Sequence, residues 1–119
     1  MDIEKTSRNG LEIISYEGEN YKPLMTFQAW RVATLNHGPR FEKATYLERH
    51  LLTDEVFVLL TGEATLLIGE DAVREPLAPG KVYNVKAGVW HAIETKPGTS
   101  CLIVENDDTS RDNSEYRDL

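Results

Sequence analysis

Cysteine is almost missing from this chain, with Cys101 alone among 119 residues. No intramolecular disulfide can form, and a thiol in the apolar run Cys101-Leu102-Ile103-Val104 is expected to pack as a small hydrophobe in a reducing compartment. Positive charge is also short: 13 Lys and Arg face 20 Asp and Glu, for a net charge of −7 and a pI near 4.9. The basic residues are scattered singly, whereas phosphate recognition draws on clusters of them, so neither nucleic acid nor an anionic membrane is an expected partner. No stretch approaches the ~18 apolar residues of a membrane-spanning helix. The opening MDIEKTSRNG has no apolar core behind a basic start, so no signal peptide is expected either. A soluble, cytoplasmic protein is the expectation. Helical periodicity is lacking throughout.

What is present is a succession of short apolar or alternating runs broken by Gly, Pro, Asn and Asp, the pattern of an all-β sandwich or barrel. The runs predict strands over Leu11 to Tyr16, Phe27 to Leu35, Ala44 to Leu52, Glu55 to Thr61, Ala64 to Ile68, Val73 to Leu77, Lys81 to Val85, Val89 to Thr95 and Ser100 to Glu105. Thr61-Gly62-Glu63, Ile68-Gly69-Glu70-Asp71 and Ala78-Pro79-Gly80 place turn residues between consecutive strands. Val56-Phe57-Val58-Leu59-Leu60 is apolar at successive positions, which predicts a strand covered on both faces. Pro76 cannot donate to a ladder, so its strand belongs at an edge or bulge. Residues 17–26 read as a loop, and the polar residues 107–119 as a strap or a disordered tail, with Tyr116 and Leu119 its only anchors. The expected organisation is a single domain over 1–119 with its barrel core at about 27–105.

Chemistry concentrates around two of the three histidines. Glu48 and His50, two apart on a strand, share a face while Arg49 points away. Glu55 follows after the bend at Thr53-Asp54, and Gly62 lies beyond it. Downstream, His91 shares a strand face with Val89, Ile93 and Thr95. His37, in Asn36-His37-Gly38-Pro39, reads as a loop residue. Trp30, Tyr46, Tyr83 and Trp90 could line a pocket, although strand aromatics usually serve packing. Lys86, at a turn, reads as solvated.

In this order the residues resemble the two motifs of the cupin superfamily: Glu48-x-His50-x4-Glu55-x6-Gly62, then Gly80-x5-Lys86-x-Gly88-x2-His91-x3-Thr95. The chain departs from the family pattern in four places. Glu48 stands for the first histidine, Glu42 for an upstream glycine, Lys86 for a proline and Thr95 for an asparagine. The resemblance, over roughly residues 44 to 105, implies a small single-domain cupin, an antiparallel double-stranded β-helix or jelly-roll barrel. It further implies a divalent metal (Mn, Fe, Ni or Zn) held by His50, Glu55 and His91, with Glu48 as a substituted fourth ligand. A carboxylate suits such ions about as well as an imidazole does. Glu48 could instead stand off the metal as a catalytic base, or either glutamate could pair with a barrel arginine such as Arg31.

Two functions follow from that resemblance. One is a metal-dependent enzyme acting on a small polar metabolite, a sugar or hydroxy acid. The other is a non-catalytic small-molecule binding or sensing module. A homodimer is expected in either case, because small cupins commonly pair through sheet edges and the strand around Leu11 to Tyr16 has no evident partner in the core.

Overall fold

The computed structural model describes all residues, 1–119. Twelve strands and two short 3-10 turns make up its regular structure, with no α-helix. In chain order the strands are β1 Glu4–Arg8, β2 Leu11–Ser15, β3 Asn20–Phe27, β4 Trp30–Asn36, β5 Tyr46–His50 and β6 Glu55–Thr61. There follow β7 Ala64–Ile68, β8 Val73–Pro76, β9 Tyr83–Val85, β10 His91–Thr95, β11 Ser100–Asn106 and β12 Ser114–Asp118. They form two five-stranded antiparallel sheets, ordered β12-β5-β10-β7-β8 and β3-β4-β11-β6-β9, and a separate hairpin β1-β2. No ladder joins the two sheets, so the expected barrel is an unclosed sandwich whose chain alternates between layers.

The core is built by alternation. Ala33 and Leu35 of β4, Phe57 and Leu59 of β6, Leu66 of β7, Ile93 of β10, and Cys101 and Ile103 of β11 all turn inward and are buried. Most of their neighbours along each strand point to the opposite face and are only half-buried, as the two-residue strand period requires, Leu67 being a buried exception. Gly62 closes the turn from β6 to β7 at φ +81°, and a Cβ there would run into the Thr99 backbone. Only glycine suits both constraints. Thr99 takes advantage of the approach, accepting from the Glu63 N–H and donating to the Glu63 carbonyl.

Several sequence expectations are corrected. β6 is fully buried on one face and only partly covered on the other: Val56 and Val58 are half-buried and Leu60 is 51% exposed. Its outward valines satisfy strand propensity rather than a second layer. Most of the segment expected as a loop, residues 17–26, is the edge strand β3, whose register shifts at Pro23 and Met25. A bulge at an edge is where a strand tolerates proline. The expected strand from Phe27 to Leu35 is broken by a tight turn at Gln28 (φ 51°) and resumes as β4. β1 falls where no strand was expected, and it supplies β2 with a partner through the Asn9-Gly10 turn; this dipeptide has the positive φ values of a two-residue hairpin. β2 is thus paired on one side within its own hairpin, and neither strand of that hairpin joins a core sheet. The polar tail is a strap: a 3-10 turn Arg111–Asn113, capped by Ser110, leads into β12, which pairs along β5 from Ser114↔His50 to Asp118↔Tyr46. Pro76 lies on the edge strand β8, as expected.

The one-sided burial of β6 gives a measurable contrast. Phe57→Ala should cost about 3–5 kcal/mol by opening the core, and Leu60→Ala should change stability by no more than about 0.5 kcal/mol. Equal losses in urea melts of the two variants would show that the outer face of β6 is covered.

Candidate functional site

A cavity of about 290 Å³ lies between the two sheets. β5 contributes Glu48 and His50 from its inward face, and β10 begins with His91, directly opposite Glu48 in the ladder. Glu55 is the first residue of β6 in the facing sheet, and Glu105 stands near the end of β11 beside it. Residues far apart in sequence thus meet across the sandwich.

Glu55 is the centre of this group. Its Oε1 lies 2.9 Å from His91 Nε2 and 3.2 Å from His50 Nε2, and Glu48 Oε1 lies 3.8 Å from His50 Nε2. The far nitrogens are tethered: His50 Nδ1 to Ser114 Oγ at 2.8 Å, and His91 Nδ1 to the Val89 carbonyl at 3.0 Å. A carbonyl can only accept, so His91 Nδ1 carries a proton. In neutral His91 the Nε2 lone pair therefore faces a carboxylate oxygen, an arrangement that needs a cation, either a proton or a metal ion.

The donor set fits a metal. Two donors bound side by side to one ion at ~2.1 Å each lie ~3 Å apart, close to the spacings of Glu55 from the two imidazoles. Two overlapping triplets of potential ligand atoms, each within 4.8 Å of one another, occur here: Glu48, His50 and His91, and His50, Glu55 and Glu105. Tethered far nitrogens are the usual accompaniment of histidine ligands, since they fix ring orientation and tautomer.

Electrostatics reflect the crowding. Burial pushes the Glu55 carboxyl up, but hydrogen bonds from both imidazoles overcome it and hold the group at about 2. Burial alone would lower both histidines, yet hydrogen bonding and charge from Glu55 raise each above its ordinary value. Glu48 is raised, chiefly by burial and against the pull of the two histidines. Glu105 is raised by burial and by the nearby charge of Glu55.

The structure brings all four sequence-predicted residues together. Arg31 pairs with neither Glu48 nor Glu55, and instead lies 3.6 Å from Glu105 and 3.7 Å from Asp107. Among the candidate aromatics, Tyr46 alone lines the cavity, in edge contact with Tyr116 at 5.9 Å between ring centroids. Trp90 is held outside by Arg49 and Arg117 over its ring, and the Tyr83 hydroxyl accepts from the Ala78 N–H. His37 lies apart, its Nδ1 2.8 Å from Thr95 Oγ1. Lys86 forms an exposed ion pair with Asp54, and the Cys101 thiol is pushed up to about 11 by burial.

Two further residues escaped the sequence reading. Glu105 is 5% exposed and accepts from the Tyr21 hydroxyl at 2.7 Å. The signal for Glu105 was an acid continuing the inward stripe Cys101, Ile103. Tyr21 lay within the presumed loop.

No protein-family model matches the chain, and no curated protein matches it in sequence. Solved structures match its fold. An uncharacterized conserved protein with a double-stranded β-helix domain from Klebsiella pneumoniae gives a TM-score of 0.68 at 14% identity, covering 88% of this chain and 84% of that one. A cupin-2 domain containing protein from Shewanella frigidimarina gives 0.60 at 17% identity, covering 76% and 84%. Pac13, a nucleoside dehydratase also solved from Streptomyces with uridine, gives 0.65 at 7% identity, covering 98% and 87%. The chain therefore has the double-stranded β-helix fold of small cupins.

The tethered cluster predicts a pH signature for the chelator-treated protein. Because the histidines are raised, their stabilisation is fully present below the ordinary imidazole value of about 6.5 and is lost as pH rises through their folded values. Glu55, lowered from 4.5 to about 2, contributes above 4.5 and loses its contribution as pH falls toward 2. The Tm gap between the metal-free native chain and Glu55→Gln should thus be widest near pH ~5–6 and narrow on both sides. A gap that is the same at pH ~5.5 and pH ~9 would remove the ion-paired cluster.

Proposed function

We propose that this protein is a metal-dependent enzyme acting on a small polar molecule of the sugar or hydroxy-acid class. The observation that carries this reading is the convergence of two tethered imidazoles on the buried Glu55 carboxylate at the wall of a cavity large enough for a small metabolite. His50, Glu55 and His91 would hold a divalent transition ion, which when bound would supply Lewis-acid polarisation of a substrate oxygen. The fold stands on its apolar core and continuous ladders, which favours a functional ion over a structural one.

The chain's own groups divide the remaining work. Glu48, with a third of its side chain exposed and no close tether, would accept or return a proton at Oε1 as the general base. Arg40 and Arg111 line the cavity without an ion pair in the chain, which supports a substrate with a carboxylate or comparable anionic group. Phe41, Tyr46 and Tyr116 supply apolar lining, which helps exclude water. A structural neighbour that is a nucleoside dehydratase supports catalysis on a polar molecule within this fold, although fold alone does not transfer a reaction.

The test is elemental analysis of the native protein and His91→Ala, with melting curves before and after adding Mn, Fe, Ni or Zn. The native chain should retain near-stoichiometric metal and melt higher with it; His91→Ala should lose the metal and keep its β spectrum. If His91→Ala unfolds along with metal loss, the ion is a structural staple. A native chain that takes up none of the four ions overturns the reading.

A further inference from the structure

Glu105 has a buried carboxylate oxygen that no hydrogen bond in the molecule satisfies. The residue is 5% exposed, and its two carboxylate oxygens are treated very differently. Oε2 accepts from the Tyr21 hydroxyl at 2.7 Å and has the Arg31 guanidinium 3.6 Å away. Arg31 is itself fixed, donating from Nε to Tyr21 at 3.0 Å and from Nη1 to the Asp107 carbonyl at 3.1 Å. Oε1 is buried with no hydrogen-bond partner, and the residue lines the same cavity as His50 and Glu55. A desolvated carboxylate oxygen without a donor carries a penalty that no contact offsets, so a group held in place this firmly from one side needs something on the other.

The surroundings identify what is missing. His50, Glu55 and Glu105 are all buried and each offers a ligand atom within 4.8 Å of the other two. Glu55 is an acceptor, as is any histidine nitrogen not carrying a proton, so the space between them is bounded by acceptors and calls for a cation. One ion there would be shared by the open atoms of His50, Glu55 and Glu105. The far-side tethers follow one plan: Ser114 behind His50, Val89 behind His91, Tyr21 and Arg31 behind Glu105. Orientation of ligands through their distal atoms is the regular companion of metal coordination. Glu48 has no such tether, and its side chain is 33% exposed against 3% for Glu105.

We infer that Glu105, through Oε1, is the fourth protein ligand of the metal, in place of Glu48. This assignment rests on the metal-dependent reading above and extends it to a residue outside both sequence motifs. With Glu55 and Glu105 both bound, two carboxylate charges would balance a 2+ ion, and Glu48 would remain free for the proton-transfer role.

The experiment is Zn²⁺ titration of the metal-stripped full-length protein in competition with a chromogenic chelator, paralleled by the visible absorption of the Co²⁺ form. Glu105→Gln should weaken Zn²⁺ binding by about tenfold or more and change the Co²⁺ bands. Glu105→Asp, which keeps the charge but withdraws the oxygen by one methylene, should also weaken it, whereas a purely electrostatic role would leave this variant near the native value. Glu48→Gln should stay within about threefold of native. If Glu105→Gln fails to fold, Tyr21→Phe provides the same test by cutting the anchor on Oε2: a several-fold loss with altered Co²⁺ bands supports the assignment and native behaviour overturns it. Native affinity and spectrum in both Glu105 variants, or a larger loss in Glu48→Gln, also overturns it. His91→Ala separates the two levels: if it abolishes binding while the Glu105 variants bind normally, the metal reading stands and this assignment falls. If the native chain binds neither Zn²⁺ nor Co²⁺, both fall.

Discussion

The cavity depends on one carboxylate. Glu55 begins β6 in one sheet, while the imidazoles that meet its Oε1 stand on β5 and β10 of the other. The sheets share no ladder, so this contact joins them through side chains where the cavity needs its walls held at fixed spacing. A buried carboxylate is costly unless paired and hydrogen-bonded. The two histidines satisfy that requirement, and each is tied by its distal nitrogen to Ser114 or Val89.

Much of the site was legible because its donors lie at strand starts or on strand faces, where spacing converts into geometry. Glu48 and His50 share an inward face for the reason that any residues two apart on a strand do. Gly62 could be read as a turn, although its second constraint, the close approach of Thr99, depends on a chain segment far away. The motifs cover residues 48 to 95, and Glu105 lies beyond them. Its one mark in the sequence is an acid that continues the inward stripe of Cys101 and Ile103.

The fold was legible in its middle and less so at its ends. Hydrophobic alternation marks strands packed over a core, but β3 and β12 are edge strands with one side of their backbone free, and β12 has Tyr116 as its one large apolar side chain. β3 also carries Pro23, which breaks the pattern while remaining compatible with an edge. β1 is exposed along its whole length, so only Asn9-Gly10 marked it. The run from Val56 to Leu60 misled in the opposite direction: it is apolar at every position, but position in the sheet, which sequence does not state, left its outer face only partly covered.

The spread of these side chains along the chain bears on when an ion could be taken up at the proposed site. His50 and Glu55 are separated by one bend, whereas His91 and Glu105 reach them only after β10 and β11 have docked beside β5 and β6. Contacts of such long sequence separation form slowly, because loop-closure entropy is spent before the pairing rewards it. An unfolded or half-folded chain therefore offers an ion little more than a weak two-point clasp. An ion held by the proposed site would therefore load after folding and act as a ligand of the finished native state, raising its population by mass action, instead of templating the strands that surround it.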